Sequence, residues 1–533
     1  MKRCINYGGS TVWPNEHKVL SDLPESLDVV LTIGDSDSSG GAGIQADLQT
    51  FQNLGVRGCS IMTAITAHNE HEITTMQPMS VEYITAQLSA LSHFPKIIKL
   101  GMLARVSTIE IMVNFLRQYT GKVILDPTML SAFRKELLHA ESEQYLHELR
   151  NLFPYVEILT LTIPETESIL GRTIHSYHDI ENAGHEFLAM GLKSVFIKGS
   201  HLEHNTLSQD YWTNGTESYW LSGQYDEYSN DRGMGCVFSA AMSASLALGY
   251  PLKDAIIIAK MYIGRGIRLA QSINASTFIT HAGWPEDEID LPCLSDCYHG
   301  FSSAFSDCGR DPIGLYPVVD HSDWLRKLLP LGVNMIQLRI KGKFGHELEN
   351  EIKQSIEIAN KFDARLFIND YWELAIAYGA YGVHLGQEDL DSADVKKIYQ
   401  ANLRLGLSTH CYYEVARAHA FKPSYIACGP IYSTPSKRVS FSPVGIDQLT
   451  RWRKTLSSYR LIAIGGINQA RIPTIMETGV DGVAMISAIT QADNPTQMTI
   501  ELLQMMNAYN NILNPIINTN PANSTLNIFL GSR

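Results

Sequence analysis

Residues 382–410 read GVHLGQEDLDSADVKKIYQANLRLGLSTH. A short apolar run, Gly382–Leu385, turns polar at Gly386-Gln387-Glu388-Asp389, and a second run, Leu403–Leu407, ends in Ser408-Thr409-His410. Short apolar runs closed by polar turns mark strands buried on both faces, as in a parallel sheet. Working outward, the same pattern recurs at Gly314–Val319, Met335–Ile340, Arg365–Ile368, Tyr425–Cys428, Leu461–Ile464 and Gly482–Ile486, with helical stretches such as His346–Lys361 between most of them. Eight such strands within 313–506 predict a (β/α)₈ TIM barrel.

The first half alternates as well. Apolar runs stand at Asp28–Gly34, Gly58–Ala67, Ile97–Gly101, Val123–Asp126, Ile158–Ile163 and Val195–Lys198, with helical stretches at Val81–Leu91 and Gln144–Leu152 between them. Cys236–Leu248 and Leu252–Ile273 close it, split by Gly249-Tyr250-Pro251. This predicts a separate α/β domain with a mostly parallel sheet over 27–275. Residues 276–312 hold Pro285, Pro292 and no sustained period, and are expected to be a linker. Cys293, Cys297, His299 and Cys308 lie in it, but not as the two close pairs usual for zinc, so a loosely packed linker is favoured over a metal site. Residues 1–26 form an N-terminal extension without the apolar core or cleavage site of a signal peptide. Residues 507–533, rich in Asn, Pro, Thr and Ser, are expected to be a disordered tail.

The chain has 533 residues, 45% of them hydrophobic and 18% charged, enough apolar material for more than one core. A net charge of −13 gives no general attraction for nucleic acid or anionic membrane. No apolar run approaches the roughly 18 residues of a spanning helix. The eight Cys are scattered, several in apolar stretches, which fits a reduced, cytoplasmic protein. Small-molecule partners are expected, and a homo-oligomer is left open.

A barrel of this kind keeps its chemistry at the C-terminal strand ends. There, Gln337, Arg339 and Lys341 alternate onto one face, and two cations with an amide call for an anion. Asp370 and Asp389 offer two hard oxygen ligands suited to Mg²⁺. Gly465-Gly466 and Ile486-Ser487 follow the last two strands, the usual phosphate pocket of the fold. These residues ask for a metal-bound diphosphate, neutralised by Arg339, Lys341 and Lys437, beside a separate monophosphate.

The combination VNMIQLRIK (333–341), IND (368–370), GVHLGQEDL (382–390), GLSTH (406–410), GPIY (429–432), IGGIN (464–468) and DGVAMISAI (481–489) resembles thiamine-phosphate synthase across 313–506. The resemblance implies that Gln337, Leu338, Arg339, Ile340, Lys341, Asn369, Ser408 and Lys437 hold an aminopyrimidine diphosphate. It gives Asp370 and Asp389 to Mg²⁺, and Thr434, Pro435, Ser436, Gly466, Ile486 and Ser487 to a thiazole phosphate. Arg339 and Lys437 would serve the departing diphosphate. Ile340 stands where the family more often has Glu, and Ser433 and Pro435 vary the loop after the sixth strand.

In the first half, Asp35–Asp47 reads DSDSSGGAGIQAD, a glycine-rich turn between a strand and a helix. Gly233-Met234-Gly235-Cys236 opens the small-residue helix, whose free N–H groups would form an anion hole and whose dipole would lower the Cys236 pKa. Lys198 ends a strand. With Thr63–Asn69, KLGML (99–103) and LDP (125–127), these features resemble the ribokinase-like superfamily, and within it the hydroxymethylpyrimidine and hydroxymethylpyrimidine-phosphate kinases. The resemblance implies a ribokinase-like α/β sandwich that uses ATP. Cys236 would be the catalytic base, Asp47, His68 and Met102 the pyrimidine pocket, and Lys198, Gly233 and Gly235 the ATP side. His68, Ser131–Arg134, Thr162 and Asp231-Arg232 depart from the family pattern.

The expected function is therefore two-part: ATP-dependent phosphorylation of hydroxymethylpyrimidine and its phosphate, then Mg²⁺-dependent joining of the diphosphate to thiazole phosphate. The alternative is a synthase whose kinase-like half only binds pyrimidine.

Overall fold

The computed structural model describes residues 28–518 apart from 69–72, 92–93, 129–141, 200–206, 225–232, 273–278, 299–302, 310–312 and 435–442. The first domain is one sheet of ten strands among the described residues. They are β1 (Val29–Asp37), β2 (Arg57–His68), β3 (Ile73–Pro78), β4 (Ile97–Leu100), β5 (Lys122–Leu125), β6 (Ile158–Thr162), β7 (Val195–Lys198), β8 (Leu207–Thr213), β9 (Ser218–Gln224) and β10 (Cys293–Ser295). The order is β10-β9-β8-β7-β6-β5-β4-β1-β2-β3. Strands β1, β2 and β4 to β7 pair in parallel, while β3 and β8 to β10 are antiparallel. The six apolar runs of the sequence are the parallel strands. The antiparallel ones escape that reading because edge strands such as ITTMQP at β3 alternate with polar residues.

The helix Met234–Ala247 is buried on almost every side. Its Ser and Ala side chains are small enough for close packing, and Ser243 and Ser245 satisfy their hydroxyls on the carbonyls of Ser239 and Ala241.

The second domain is a closed parallel barrel of β11 (Gly314–Val319), β12 (Met335–Leu338), β13 (Arg365–Asn369), β14 (Gly382–Leu385), β15 (Arg404–Thr409), β16 (Tyr425–Cys428), β17 (Leu461–Ile464) and β18 (Gly482–Met485). All eight predicted strands are present, with ends shifted by one or two residues. The expected disordered tail needs correction: the helix Pro495–Asn518 runs through its first part. Leu502 and Met506 are buried on one helical face, and that phase carries the chain past Asn507.

The linker is also corrected. Among its described residues it is an ordered strap between the domains. Cys293–Ser295 joins the sheet beside β9, and Ile279, Leu291, Leu294 and Phe305 are buried. Glu288 receives hydrogen bonds from Ser457 and Ser458 of the barrel, while Arg268 of the first domain holds Asp287 and Asp290. A segment that follows two surfaces in turn has no single period, which is why its sequence reads as irregular. Cys308 is buried with its thiol directed at the Ser424 carbonyl, and Cys297 is exposed. No group of three or more His, Cys, Asp or Glu able to hold a metal occurs among the described residues. His299 lies outside them. Among the same residues no helix is long and apolar enough to cross a membrane.

Candidate active sites

In the first domain the three sequence features meet. Asp37 ends β1, and its carboxylate accepts from the Ser39 and Ala42 amides, both at 2.9 Å, and from the Ser39 hydroxyl. This closes the turn over Gly40 and Gly41. Gly43, at φ +58°, starts the next helix against the Asp35 carbonyl, where a side chain would collide with backbone. Gly233, at φ +77°, lies directly on the Gly41 carbonyl, so the turn and the GxGC segment pack face to face. A Cβ on Gly235 would stand 3.0 Å from Lys198 Nζ.

Beneath them is a buried charged cluster. Lys99 Nζ and Thr32 Oγ1 donate to Asp47 at 2.5 and 2.6 Å. Thr160 and Ser239 donate to Asp126, each at 2.8 Å, and Lys198 Nζ lies 3.4 Å from it. Burial opposes both Lys cations, but neighbouring negative groups outweigh it, chiefly Asp47 for Lys99 and Asp126 for Lys198. Burial pushes Asp35 up to about 6.

The expected activation of Cys236 is overturned. Burial pushes its thiol up to about 12; Lys99 pulls the other way, and Asp47, Asp126 and Asp35 add to the rise. Desolvation and a ring of carboxylates outweigh the helix terminus.

In the barrel, a buried polar line crosses the interior. Gln337 donates to the Tyr316 hydroxyl at 3.2 Å, Tyr316 pairs with Tyr425 at 2.8 Å, Tyr425 with His384 Nδ1 at 2.7 Å, and His384 Nε2 with Ser408 at 2.8 Å. Five strands contribute one residue each. At the mouth, Lys341 Nζ is 2.8 Å from Asp370. Asp370 holds φ +68°, a conformation that Asp tolerates better than most side chains. Asp389 lies against it: burial first, then the like charge of Asp370, raises the Asp389 pKa. Arg339 has no ion-pair partner among the described residues.

Gly466, at φ +65°, sits under the loop after β16, where a Cβ would come within 2.6 Å of the Ser433 carbonyl. Ile486 precedes the short helix that Ser487 opens.

Residues 37–281 match the family model for phosphomethylpyrimidine kinase, and residues 315–489 that for thiamine monophosphate synthase. Over 194 residues the chain is 50% identical to thiamine-phosphate synthase of Serratia proteamaculans, covering 36% of this chain and 92% of that protein. The chain belongs to the thiamine-phosphate synthase family, with a phosphomethylpyrimidine kinase domain ahead of it. Thiamine-phosphate synthase of Yersinia pestis is 49% identical over 194 residues, 36% of this chain and 90% of its own. Among solved structures, phosphomethylpyrimidine kinase of Clostridium difficile is 35% identical over 44% of this chain and 97% of its own, with a TM-score of 0.39. Pyridoxal kinase of Staphylococcus aureus in complex with ADP is 29% identical over 51% and 98%, with a TM-score of 0.46. Both families are transferases of thiamine biosynthesis.

In the synthase barrel, Gln337, Arg339, Lys341, Asn369, Ser408, Asp370 and Asp389 all stand at or just past the C-terminal strand ends. Leu338 and Ile340 are buried and offer a ligand only backbone. Thr434, Gly466, Ile486 and Ser487 follow β16, β17 and β18. Pro435, Ser436 and Lys437 lie outside the described residues. In the kinase domain, Met102 is buried and its carbonyl accepts from Thr63 at 2.6 Å. His68 ends β2, with its side chain outside the description, as are Ser131–Arg134 and Asp231-Arg232. Asp47 is buried, with its carboxylate held by Lys99 and Thr32. Thr162 caps the following helix in a reciprocal pair with Glu165.

Lys99 and Asp126 were visible only as letters of KLGML and LDP. Their signal was a charge inside an apolar strand end. Tyr316 and Tyr425 gave none, since a Tyr in a strand reads as packing.

Proposed function

We propose that the kinase domain phosphorylates 4-amino-5-hydroxymethyl-2-methylpyrimidine and then its monophosphate with ATP, and that the barrel couples the diphosphate to thiazole phosphate, forming thiamine phosphate and pyrophosphate. The observation that carries this reading is the Asp370–Asp389 pair beside Lys341, at the strand ends of a barrel whose interior holds a line of polar groups from Gln337 to Ser408.

In the first reaction the pyrimidine hydroxyl oxygen attacks the γ-phosphorus of ATP and ADP leaves; in the second an oxygen of the monophosphate attacks in the same way. The transition state is loose, so positioning and charge neutralisation dominate. The uncapped start of the Met234–Ala247 helix, seated on the Gly40–Gly41 turn, presents backbone N–H groups, and Lys198 supplies charge beside them. Cys236 faces the same place as the group that takes the hydroxyl proton. Its thiol must first ionise, and Lys99 is the cation that favours this.

In the barrel the pyrimidine methylene–oxygen bond breaks with its electron pair passing to the diphosphate, and the thiazole nitrogen forms the new C–N bond. Two hard carboxylates with room for phosphate oxygens and water fit Mg²⁺, and Asp370 and Asp389 would hold it. Held there, Mg²⁺ would supply positive charge toward a diphosphate. Arg339, Lys341 and Lys437 add to that charge. Gln337, Asn369 and Ser408 orient the pyrimidine, and Thr434 to Ser436, Gly466, Ile486 and Ser487 hold the thiazole phosphate. Free thiols among the described cysteines fit action in the cytoplasm.

The test is a coupled assay with hydroxymethylpyrimidine, ATP, Mg²⁺ and thiazole phosphate, following every intermediate. The pyrimidine monophosphate, diphosphate, thiamine phosphate and pyrophosphate are expected in turn. Kinase turnover no higher than that of Cys236→Ala removes the kinase half and leaves a pyrimidine-binding module. No pyrophosphate from supplied diphosphate removes the synthase half.

A further inference from the structure

The helix Tyr412–Phe421 follows β15 and begins four residues after Ser408. Its N-cap is Cys411, in extended conformation and with no side-chain cap of its own. A helix start needs acceptors for its first N–H groups, and a thiol is a poor one. The acceptor comes from the other domain. Asp254, in the first turn of the helix Leu252–Ser272, is buried, and its Oδ1 accepts from the Tyr413 amide at 2.9 Å. The Tyr412 amide and the Cys411 thiol also turn to this carboxylate. The junction is closed around it: Trp284 Nε1 donates to the Tyr412 hydroxyl at 3.0 Å, Lys253 Nζ lies 4.5 Å over the Tyr413 ring, and Tyr219 packs on that ring.

What this helix holds on its barrel side is the synthase site. The Ser408 hydroxyl meets His384, and the Ser408 carbonyl accepts from Gln387 at 2.7 Å. Arg417, on the same helix, donates to the Gln387 carbonyl at 3.1 Å, two residues before Asp389.

We propose that Asp254 of the kinase domain is a positioning residue for the synthase reaction: by capping the Tyr412–Phe421 helix across the domain junction it sets Ser408 and the Asp389 loop. The proposal rests on the synthase reading above. It makes one catalytic centre depend on a side chain of the neighbouring domain that touches no substrate.

The experiment uses the full chain and measures both activities. Asp254→Ala is expected to raise the synthase KM for the pyrimidine diphosphate about five- to tenfold, the factor that a lost cap carries. Synthase kcat and both kinase parameters are expected to stay within about twofold. Asp254→Asn keeps an oxygen for the Tyr413 amide and is expected to behave like the parent. Asp254→Ala combined with Cys411→Ser gives the helix its own cap and is expected to recover KM. A folded Asp254→Ala with parental KM overturns the proposal. So does a parallel fall in both activities, an insoluble Asp254→Ala, or a failure of Cys411→Ser to restore KM, since each makes the carboxylate a structural tie. A parent chain that releases no pyrophosphate from supplied diphosphate is a different failure, that of the synthase reading.

Discussion

Gly233 rests on Gly41 so closely that a methyl group on Gly233 would overlap the Gly41 carbonyl oxygen. The contact joins the glycine-rich turn to the start of the Met234–Ala247 helix, and Gly233 also holds φ +77°. Gly233→Ala is therefore expected to push the two segments apart and lower pyrimidine kinase turnover about 10²-fold. Synthase turnover in the same protein should be unchanged, which steady-state assays of both reactions will check.

Burial holds the Cys236 thiol up to about 12, so near neutral pH it carries its proton. The thiolate is the reactive form. Brief alkylation of the native chain at pH 8 is expected to label the exposed Cys297 and spare Cys236, with Cys236 labelled only after unfolding. Peptide mapping by mass spectrometry reads the outcome, and prompt native labelling of Cys236 would contradict it.

Asp35 is raised from 3.8 to about 6 by burial. A carboxyl raised in the folded state binds more protons there than when unfolded. Its ionisation therefore costs stability as pH rises from about 4 to 6, and the cost is full above that. Asp35→Asn is expected to stabilise the kinase domain by about 3 kcal/mol at pH 7.5 and by nothing at pH 3.5. Urea unfolding at the two pH values is the measurement.

Asp370 and Asp389 repel each other, and Lys341 sits on Asp370. Asn accepts the left-handed backbone of position 370, so Asp370→Asn removes charge with little strain. Synthase kcat/KM is expected to fall at least about 10²-fold, with a higher Mg²⁺ requirement. With the like charge gone, Asp389 ionises at lower pH, so the acid limb of the residual pH profile should move down. Kinase rates serve as the internal control.

Tyr425 carries two bonds of the buried line, one to His384 and one to Tyr316. Tyr425→Phe takes one buried bond each from Tyr316 and His384, which keep those to Gln337 and Ser408, and is expected to destabilise the barrel by about 1–3 kcal/mol. Denaturant unfolding should register the loss in the barrel transition, with kinase activity unchanged at low denaturant.

The legible part of the protein was the local part. Each βα unit announces itself within some twenty residues, so the strand ends bearing Gln337 to Lys341, Asp370 and Asp389 could be read in place. What escaped is contact across sequence distance. Tyr316 and Tyr425 are 109 positions apart, and Asp254 and Tyr413 159 apart. Nothing in either neighbourhood marks the partner. The Cys236 expectation erred for the same reason: the helix start is visible in the letters, but the burial and the three carboxylates that outweigh it arrive from a strand, a strand end and a helix far off in sequence. The strap was misread because its residues answer to two surfaces at once.

The three residues Cys293–Ser295 pair with Trp220–Ser222 of β9 after a detour of some seventy positions, and so cover that stretch of the β9 edge. An uncovered strand edge invites pairing with another molecule. A fragment cut anywhere before Cys293 would bare the β9 edge and is prone to stick to its own kind. A kinase fragment meant to remain monodisperse has to continue past Ser295, so the practical border of that domain lies inside the connecting segment.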